Sequence, residues 1–182
     1  MKRLLIVAAA ALAIPVSAAG AQDYNLPPSK AASAACKAER QQMGEATFKQ
    51  TYGTNKNRSN AFGKCVSKRT KTEKANQDSA AKACRAERDD ANFAASHDGK
   101  TFDEFYGTGK NRKNAFGKCV SSKSKAASKA DVKASVNAAK SCKADRKADA
   151  TAFAAKWGTK RNAFGKCVSA TAKEKQAEEQ QA

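Results

Sequence analysis

Bulky aliphatic residues are nearly missing from this chain once its first 21 residues are set aside. Leu26 is then the only leucine, isoleucine is absent, and valine occurs five times. Such a composition normally predicts disorder, because little apolar area is buried to offset the conformational entropy of the chain. Two features favour a folded protein instead: abundant alanine, which has the highest helix propensity, and six cysteines.

The residue patterns that support catalysis, metal binding or haem attachment are also missing. His97 is the only histidine and lies in the turn-like stretch Ser-His-Asp-Gly. The cysteines are isolated, without the C-x-x-C spacing of a zinc or haem site. Their symmetric placement favours disulfides over a free thiol nucleophile. We therefore predict a protein that is not an enzyme and that has no cofactor and no metal site.

The N-terminus has the three parts of a secretory signal peptide. These parts are the cationic start MKR, an apolar run at 4–16 and the small residues AGA at 19–21. The apolar run is shorter than the about 20 residues that a membrane span needs, and no second apolar run follows. We predict cleavage after Ala21, with Ala18 as the alternative, and a secreted or extracytoplasmic mature chain without a transmembrane segment. That compartment is oxidising and permits disulfides.

Three related sequence elements recur in the same order along the chain. The octapeptide NAFGKCVS occurs three times, and a second cysteine precedes each copy in the related contexts ACKAER, ACRAER and SCKADR. Between them lie a phenylalanine, three further residues, an aromatic residue and Gly-Thr. Because this order repeats, we interpret the chain as an internal duplication with five segments: a signal peptide at 1–21, repeat 1 at 22–70, repeat 2 at 71–122, repeat 3 at 123–170 and a polar C-terminal tail at 171–182.

The spacing within each repeat predicts helices and an all-α fold. Phenylalanine and the aromatic residue four positions later share a helix face, and the glycine that follows is typical of a helix end. In the first octapeptide Asn60 is a predicted N-cap, and Phe62, Cys65 and Val66 fall on one stripe. The fold class is therefore three tandem disulfide-stapled helical units. They are joined by Ala/Lys-rich links, either helical or flexible, and end in a frayed or disordered tail.

Helix geometry constrains which cysteines pair. If the first link is helical, Cys65 and Cys84 lie 19 residues apart, about 28 Å along the axis. A disulfide needs Cα atoms about 5.5 Å apart. In a straight hairpin of repeat 3 the sulfurs would be offset by about 16 Å, so the first helix must bend or stop early, as at Gly44 in repeat 1 and at the turn 97–100 in repeat 2. Pairing within repeats treats all copies alike: Cys36–Cys65, Cys84–Cys119 and Cys142–Cys167.

Positive charge is the feature that indicates a partner. The chain has a formal net charge of +18, and the segments between paired cysteines carry +4, +1 and +5 in repeats 1, 2 and 3. A helix N-terminus has unpaired amide groups, so lysine and arginine beside it form a general anion site. Three such sites on one chain predict avidity for a repetitive polyanion. The candidate residues precede or begin the third helix of each unit: Lys56, Arg58, Lys64, Lys110, Arg112, Lys113, Lys118, Lys160, Arg161 and Lys166.

Three interpretations of the function remain open. The first is a secreted structural or interaction protein without catalytic activity. The second is a polyanion-binding module whose partner is an anionic envelope polymer, an anionic lipid surface or extracellular nucleic acid. The basic stretch 121–140 is typical of tails that bind phosphate without reading base sequence, so no specific nucleic-acid recognition is predicted. The third is a duplicated fold selected only for its stability.

The segment YGTNKNRSNAFGKCVSK at 52–68, with the ACKAER element at 35–40, resembles secreted bacterial repeat proteins that share an NAFGKCV-type motif and have no assigned activity. The resemblance extends over nearly all of the chain after residue 21. It implies export and repetition, and it implies no activity, cofactor or partner.

Overall fold

A computed structural model describes residues 27–181 of the chain, so the predicted signal peptide at 1–21 lies outside the described residues. The described range is all-α and without strands, as predicted. Within it, no helix is both long and apolar enough to cross a membrane. Its seven α-helices are α1 (Pro28–Met43), α2 (Glu45–Tyr52), α3 (Ala61–Asp89), α4 (Phe102–Tyr106), α5 (Ala115–Ala148), α6 (Ala150–Trp157) and α7 (Ala163–Gln181).

The links between repeats are helical rather than flexible. The 29-residue helix α3 contains both Cys65 and Cys84, and the 34-residue helix α5 contains both Cys119 and Cys142. Each long helix therefore ends one unit and begins the next, because alanine and lysine favour helix and no glycine or proline interrupts the links. The sequence boundaries at 70/71 and 122/123 fall inside these two helices.

Three disulfides join the first helix of each unit to the third. They are Cys36–Cys65, Cys84–Cys119 and Cys142–Cys167, the symmetric pairing that the sequence predicts, with Cα atoms 6.0, 6.0 and 6.1 Å apart.

The early helix stop that this pairing requires is present in all three units. It lies at Gly44 (φ +81°) in repeat 1 and at Asp149 in repeat 3. In repeat 2 the helix ends after Asp89, ahead of the predicted turn at 97–100, so that expectation is wrong. The Asp149 side chain caps α6 by accepting a hydrogen bond from the Ala152 amide at 2.8 Å. Gly99 (φ +77°) then turns the chain of repeat 2 towards α4.

The two long helices run antiparallel and define two ends of the molecule. Because the chain reverses direction between α3 and α5, repeats 1 and 3 lie side by side while repeat 2 lies alone at the opposite end. We call the segments 36–65 and 142–167 the near end and the segment 84–119 the far end. At the near end α2 packs on α7, and α1 packs on both α3 and α5.

Each of the three units has its own small core around its disulfide. In repeat 1 Phe48 and Tyr52 cover the bridge, and in repeat 2 Phe93 and Phe102 do so. Repeat 3 has a larger cluster that includes Phe153, Phe164, several alanines of α5 and, from repeat 1, the half-buried Met43. The two near-end units therefore share apolar packing. The apolar cluster of the far end is formed by the end of α3, the start of α5 and the chain between them.

Two further sequence expectations are wrong in detail. The side chains of Asn60 and Asn114 make no N-cap hydrogen bond to their helices. Asn60 instead accepts from the Thr54 amide at 3.0 Å and donates to the Thr54 hydroxyl at 2.9 Å, which closes the preceding loop. The segment 171–181 is helical rather than frayed or disordered, because α7 continues to Gln181 and Ala172 is buried.

Candidate functional site

Two of the three predicted anion-binding loops are neighbours at the near end. Arg58, from the loop that precedes α3, donates a hydrogen bond from Nη2 to the backbone carbonyl of Arg161 at 3.4 Å. Thr54 of the first loop and the stretch 159–162 of the other line one shallow recess. The fold therefore brings together cations that are 103 residues apart in the chain.

A tight turn shapes the first of these loops. Arg58 has a positive φ of 57°, and its Cβ lies so near Gly53 that a Cβ at position 53 would be only 2.4 Å away. Gly107 and Arg112 repeat this arrangement in the far-end loop, where Arg112 has a φ of 49°. Glycine is required at both positions because two backbone segments approach closely there.

Most near-end candidate cations face solvent. Lys56, Lys64, Lys160, Arg161 and Lys166 are exposed, and Arg58 is half-buried between the loops. The segments that meet here carry net charges of +4 and +5. Like charges this dense raise the local positive potential and attract anions.

The far-end loop has a different electrostatic environment. Lys110, Arg112 and Lys113 are exposed and Lys118 is half-buried, but Arg112 Nη1 lies 2.7 Å from the carboxylate of Glu104. Hydrogen bonds from the Thr101 backbone and from Arg112 lower the pKa of Glu104 to about 2. With seven basic and six acidic residues, the far end has a net charge of only +1.

A groove between α3 and α7 continues the basic surface of the near end. Lys68 Nζ donates to Ser169 Oγ at 2.7 Å, and burial together with the nearby charge of Lys173 lowers the pKa of Lys68. Beside them, a recess of about 480 Å³ is lined by Thr51, Asn162, Gly165, Lys166, Ser169, Ala170 and Lys173. Lys68 and Lys173 are not among the predicted site residues, because they lie in a link and in the tail.

Charged side chains are also buried inside the near half of the bundle, which the sequence analysis does not predict. Glu39 and Arg69 form an ion pair whose side chains are 0% and 6% exposed. Tyr52 donates its hydroxyl to Glu39, and burial raises the pKa of Tyr52 to about 12 although the nearby Ser135 hydroxyl lowers it. Arg69 also contacts Asp131 and Ser135 of α5.

Further partners complete this buried network. Ser128 Oγ donates to Glu73 at 2.7 Å, and burial raises the pKa of Glu73 despite that bond. Asn76 and Gln176 both donate to the carboxylate of Asp131. The network thus ties α1, α3, α5 and α7 together, and it fixes how repeats 1 and 3 sit beside each other.

Repeat 2, together with Lys123 in the link that follows it, contains a half-buried copy of the same triad. Tyr106 and Lys123 both donate to Glu87, at 2.9 and 2.7 Å. Partial burial alone would raise the pKa of Glu87, but these two hydrogen bonds hold it below its ordinary value. The signal in the sequence is an acid three residues after the first cysteine and a cation four residues after the second, present in repeats 1 and 2.

His97 has a structural role at the far end. Its ring stacks on Phe93 with centroids 3.8 Å apart, and its Nδ1 lies 2.8 Å from the Phe93 carbonyl oxygen. All six cysteines are in disulfides. Among residues 27–181 no group of three His, Cys, Asp or Glu side chains is placed to hold a metal ion.

The fold and these sites define a class of protein: an all-α chain of three disulfide-stapled helical units, in which each near-end segment between paired cysteines is more basic than the far-end one. No protein-family model, no curated protein and no solved structure matches this chain.

Proposed function

We propose that this protein is a secreted, non-enzymatic interaction protein that binds anionic polymers through its near end. The observation that carries the proposal is the side-by-side placement of the two most basic segments, with net charges of +4 and +5, opposite a far end of +1. The sequence predicts three separate sites, one before the third helix of each unit. The structure supports one composite site of two loops, with a weaker third loop at the other end of the bundle.

The composite site suits a chain of repeated anionic groups better than a single small anion. Lys56, Lys160 and Arg161 are exposed on neighbouring loops, so successive charges of one polymer meet cations of both. Binding of the second group is then intramolecular and gains from effective concentration. Lys68, Lys166 and Lys173 extend this path along the groove beside α7.

The site depends on the fold, since it exists only while repeats 1 and 3 stay together. Reduced and alkylated protein keeps nearly the same charge but loses the three bridges. We therefore expect oxidised protein to bind polyphosphate more tightly than the alkylated form at equal salt. Equal affinities would mean that bulk charge alone is responsible.

A charge-matched pair of variants tests the location. The near-end variant is Lys56→Gln, Lys160→Gln and Arg161→Gln, and the far-end variant is Lys110→Gln, Arg112→Gln and Lys113→Gln. Each removes three positive charges. We expect the near-end variant to lose about tenfold or more in affinity for polyphosphate and to have a shallower salt dependence, because cation–phosphate contacts release counterions. The far-end variant should lose less than about threefold.

Equal losses in the two variants would contradict a near-end site. Single-stranded DNA and vesicles of anionic lipid, titrated in parallel, rank the polymer classes. A preference for vesicles over both polymers would move the proposal to a lipid surface.

A further inference from the structure

One contact inside the molecule shows how two units dock. The helix α2 of repeat 1 packs on the start of α7 in repeat 3. The carbonyl oxygen of Thr51 approaches Gly165 so closely that a Cβ at position 165 would lie 2.3 Å from it. The glycine of the octapeptide in repeat 3 is therefore what permits this docking.

The same octapeptide surface is uncovered in repeat 1. Gly63 occupies the position in α3 that Gly165 occupies in α7, and a Cβ at position 63 would have nothing within 4 Å. Asn60, Lys64 and Ser67 surround it, matching Asn162, Lys166 and Ser169 around Gly165. Repeat 1 thus carries a second docking face that no part of the described chain covers.

Repeat 2 carries a docking helix without a partner. Phe105 in α4 occupies the position of Thr51 in α2, each one residue before the tyrosine of its unit. Its side chain lies edge-on to Tyr106 and His97, and it is 46% exposed, an unusual state for so large an apolar residue.

The docking face has room for this larger side chain. Even with Thr51 in place, the recess beside Gly165 measures about 480 Å³, so a phenylalanine at that position has space for its ring. Charge is also complementary, because α4 carries exposed Asp103 whereas the Gly63 face is bordered by exposed Lys64.

These two surfaces cannot meet within one molecule. Gly63 lies near the start of the 29-residue helix α3, whereas Glu87, which accepts a hydrogen bond from Tyr106 of α4, lies near the end of that helix. At 1.5 Å per residue the separation along α3 is about 36 Å.

We propose that α4 of one copy docks on the Gly63 face of a second copy of this chain, as α2 docks on Gly165 within one copy. The pairing joins two different surfaces, so it either closes reciprocally into a two-fold dimer or extends from copy to copy. A short helix buries less area than a standard interface, and we expect a dissociation constant between about 10 μM and 1 mM.

Two variants test the docking. Gly63→Ala adds a Cβ that meets nothing within one copy but blocks the close approach of a docking helix. Phe105→Ser removes the exposed ring. In sedimentation experiments on oxidised protein from about 1 μM to about 1 mM, we expect the mean mass of the wild type to rise to that of a dimer or more. Each variant alone should remain monomeric.

Mixing the variants gives the sharpest result. Gly63→Ala retains α4, and Phe105→Ser retains the Gly63 face, so an equimolar mixture should form a dimer and nothing larger. Thermal unfolding of each variant at low concentration checks that its fold is intact. A wild type that stays monomeric throughout, a variant that assembles like the wild type, or a mixture that stays monomeric would overturn the proposal.

Discussion

The near end and the far end use the same sequence motif in opposite surroundings. In repeat 1 the triad of Tyr52, Glu39 and Arg69 is enclosed by α5, and Glu39 and Arg69 are 0% and 6% exposed. In repeat 2 the corresponding Glu87 and Lys123 are 31% and 34% exposed. The comparison shows that neighbouring units, rather than the motif, decide whether a charged triad is a buried structural element or a surface feature.

The choice of cation agrees with this difference. The planar guanidinium of Arg69 contacts Glu39, Asp131 and Ser135 at the same time. A lysine ammonium is a compact charge and is less suited to bind three partners at once. Lys123 has one acidic partner and an ammonium that still meets water, so lysine suffices there.

The largest expected effect comes from breaking the buried triad. Arg69→Met leaves the carboxylates of Glu39 and Asp131 without their cation, which should lower the free energy of unfolding by about 3–5 kcal/mol because Glu39 is fully buried. Lys123→Met, the matched change at the far end, should cost about 1 kcal/mol or less, because that pair is partly solvated. Denaturant unfolding of oxidised protein measures both, and equal losses would show that the two triads are equivalent.

Removal of one disulfide should affect the two ends differently. In Cys84→Ala with Cys119→Ala, the far end loses a bridge worth about 3–4 kcal/mol for a loop of this size and keeps its small core and the hydrogen bonds of Glu87. Amide hydrogen exchange should therefore increase throughout 90–114 while the near end stays protected.

In Cys36→Ala with Cys65→Ala, α1 should remain protected, because Ala35 still packs on Val132 and Val136 of α5. Loss of protection in α1 would mean that the shared near-end packing is weak.

Alanine substitutions at Gly63 and Gly165, two of the three octapeptide glycines, should change the free energy of unfolding in opposite directions. Gly165→Ala forces Thr51 away from α7 and should destabilise the protein by about 1–3 kcal/mol. Gly63→Ala lies in open space within a helix and should stabilise the monomer by up to about 1 kcal/mol, since alanine has the higher helix propensity. Thermal unfolding at a concentration where the protein is monomeric compares them, and a shift of the same sign in both variants would refute the close α2–α7 contact.

The smallest expected effect is a pH dependence confined to the far end. Because the pKa of Glu104 is lowered in the folded state to about 2, its stabilising contribution is fully present above the ordinary carboxyl pKa of about 4.3 and is lost as the pH falls towards 2. Carboxyl NMR titration should show Glu104 ionising at about 2, and Arg112→Gln should raise that value. An unchanged titration in the variant would exclude Arg112 as a cause.

Much of the fold is predictable from the sequence because helix signals here are local. The aromatic residues four apart, the uninterrupted links and the symmetric cysteines lead to the right helices and the right disulfides. The net charges of +4, +1 and +5 can also be counted from the sequence. The sequence does not show which of these three segments lie next to each other. That arrangement follows from the antiparallel course of α3 and α5, which returns repeat 3 to the side of repeat 1.

The burial of charged residues was not predictable by counting charges. Glu39 and Arg69 look like solvated residues of a basic protein, and only packing against α5 removes them from water. The roles of Asn60 and Asn114 were missed for a related reason. Loop threonines compete for the asparagine side chains, and a local N-cap pattern does not reveal that competition.

The most direct test of the near-end site is an NMR titration of isotope-labelled, oxidised protein with polyphosphate at physiological salt. The amides of 54–60 and 158–166 should shift together and saturate at one polymer concentration, while those of 108–114 shift little. Equal shifts in all three loops, or shifts spread over every lysine-rich surface, would contradict the claim that the fold concentrates anion binding where repeats 1 and 3 meet.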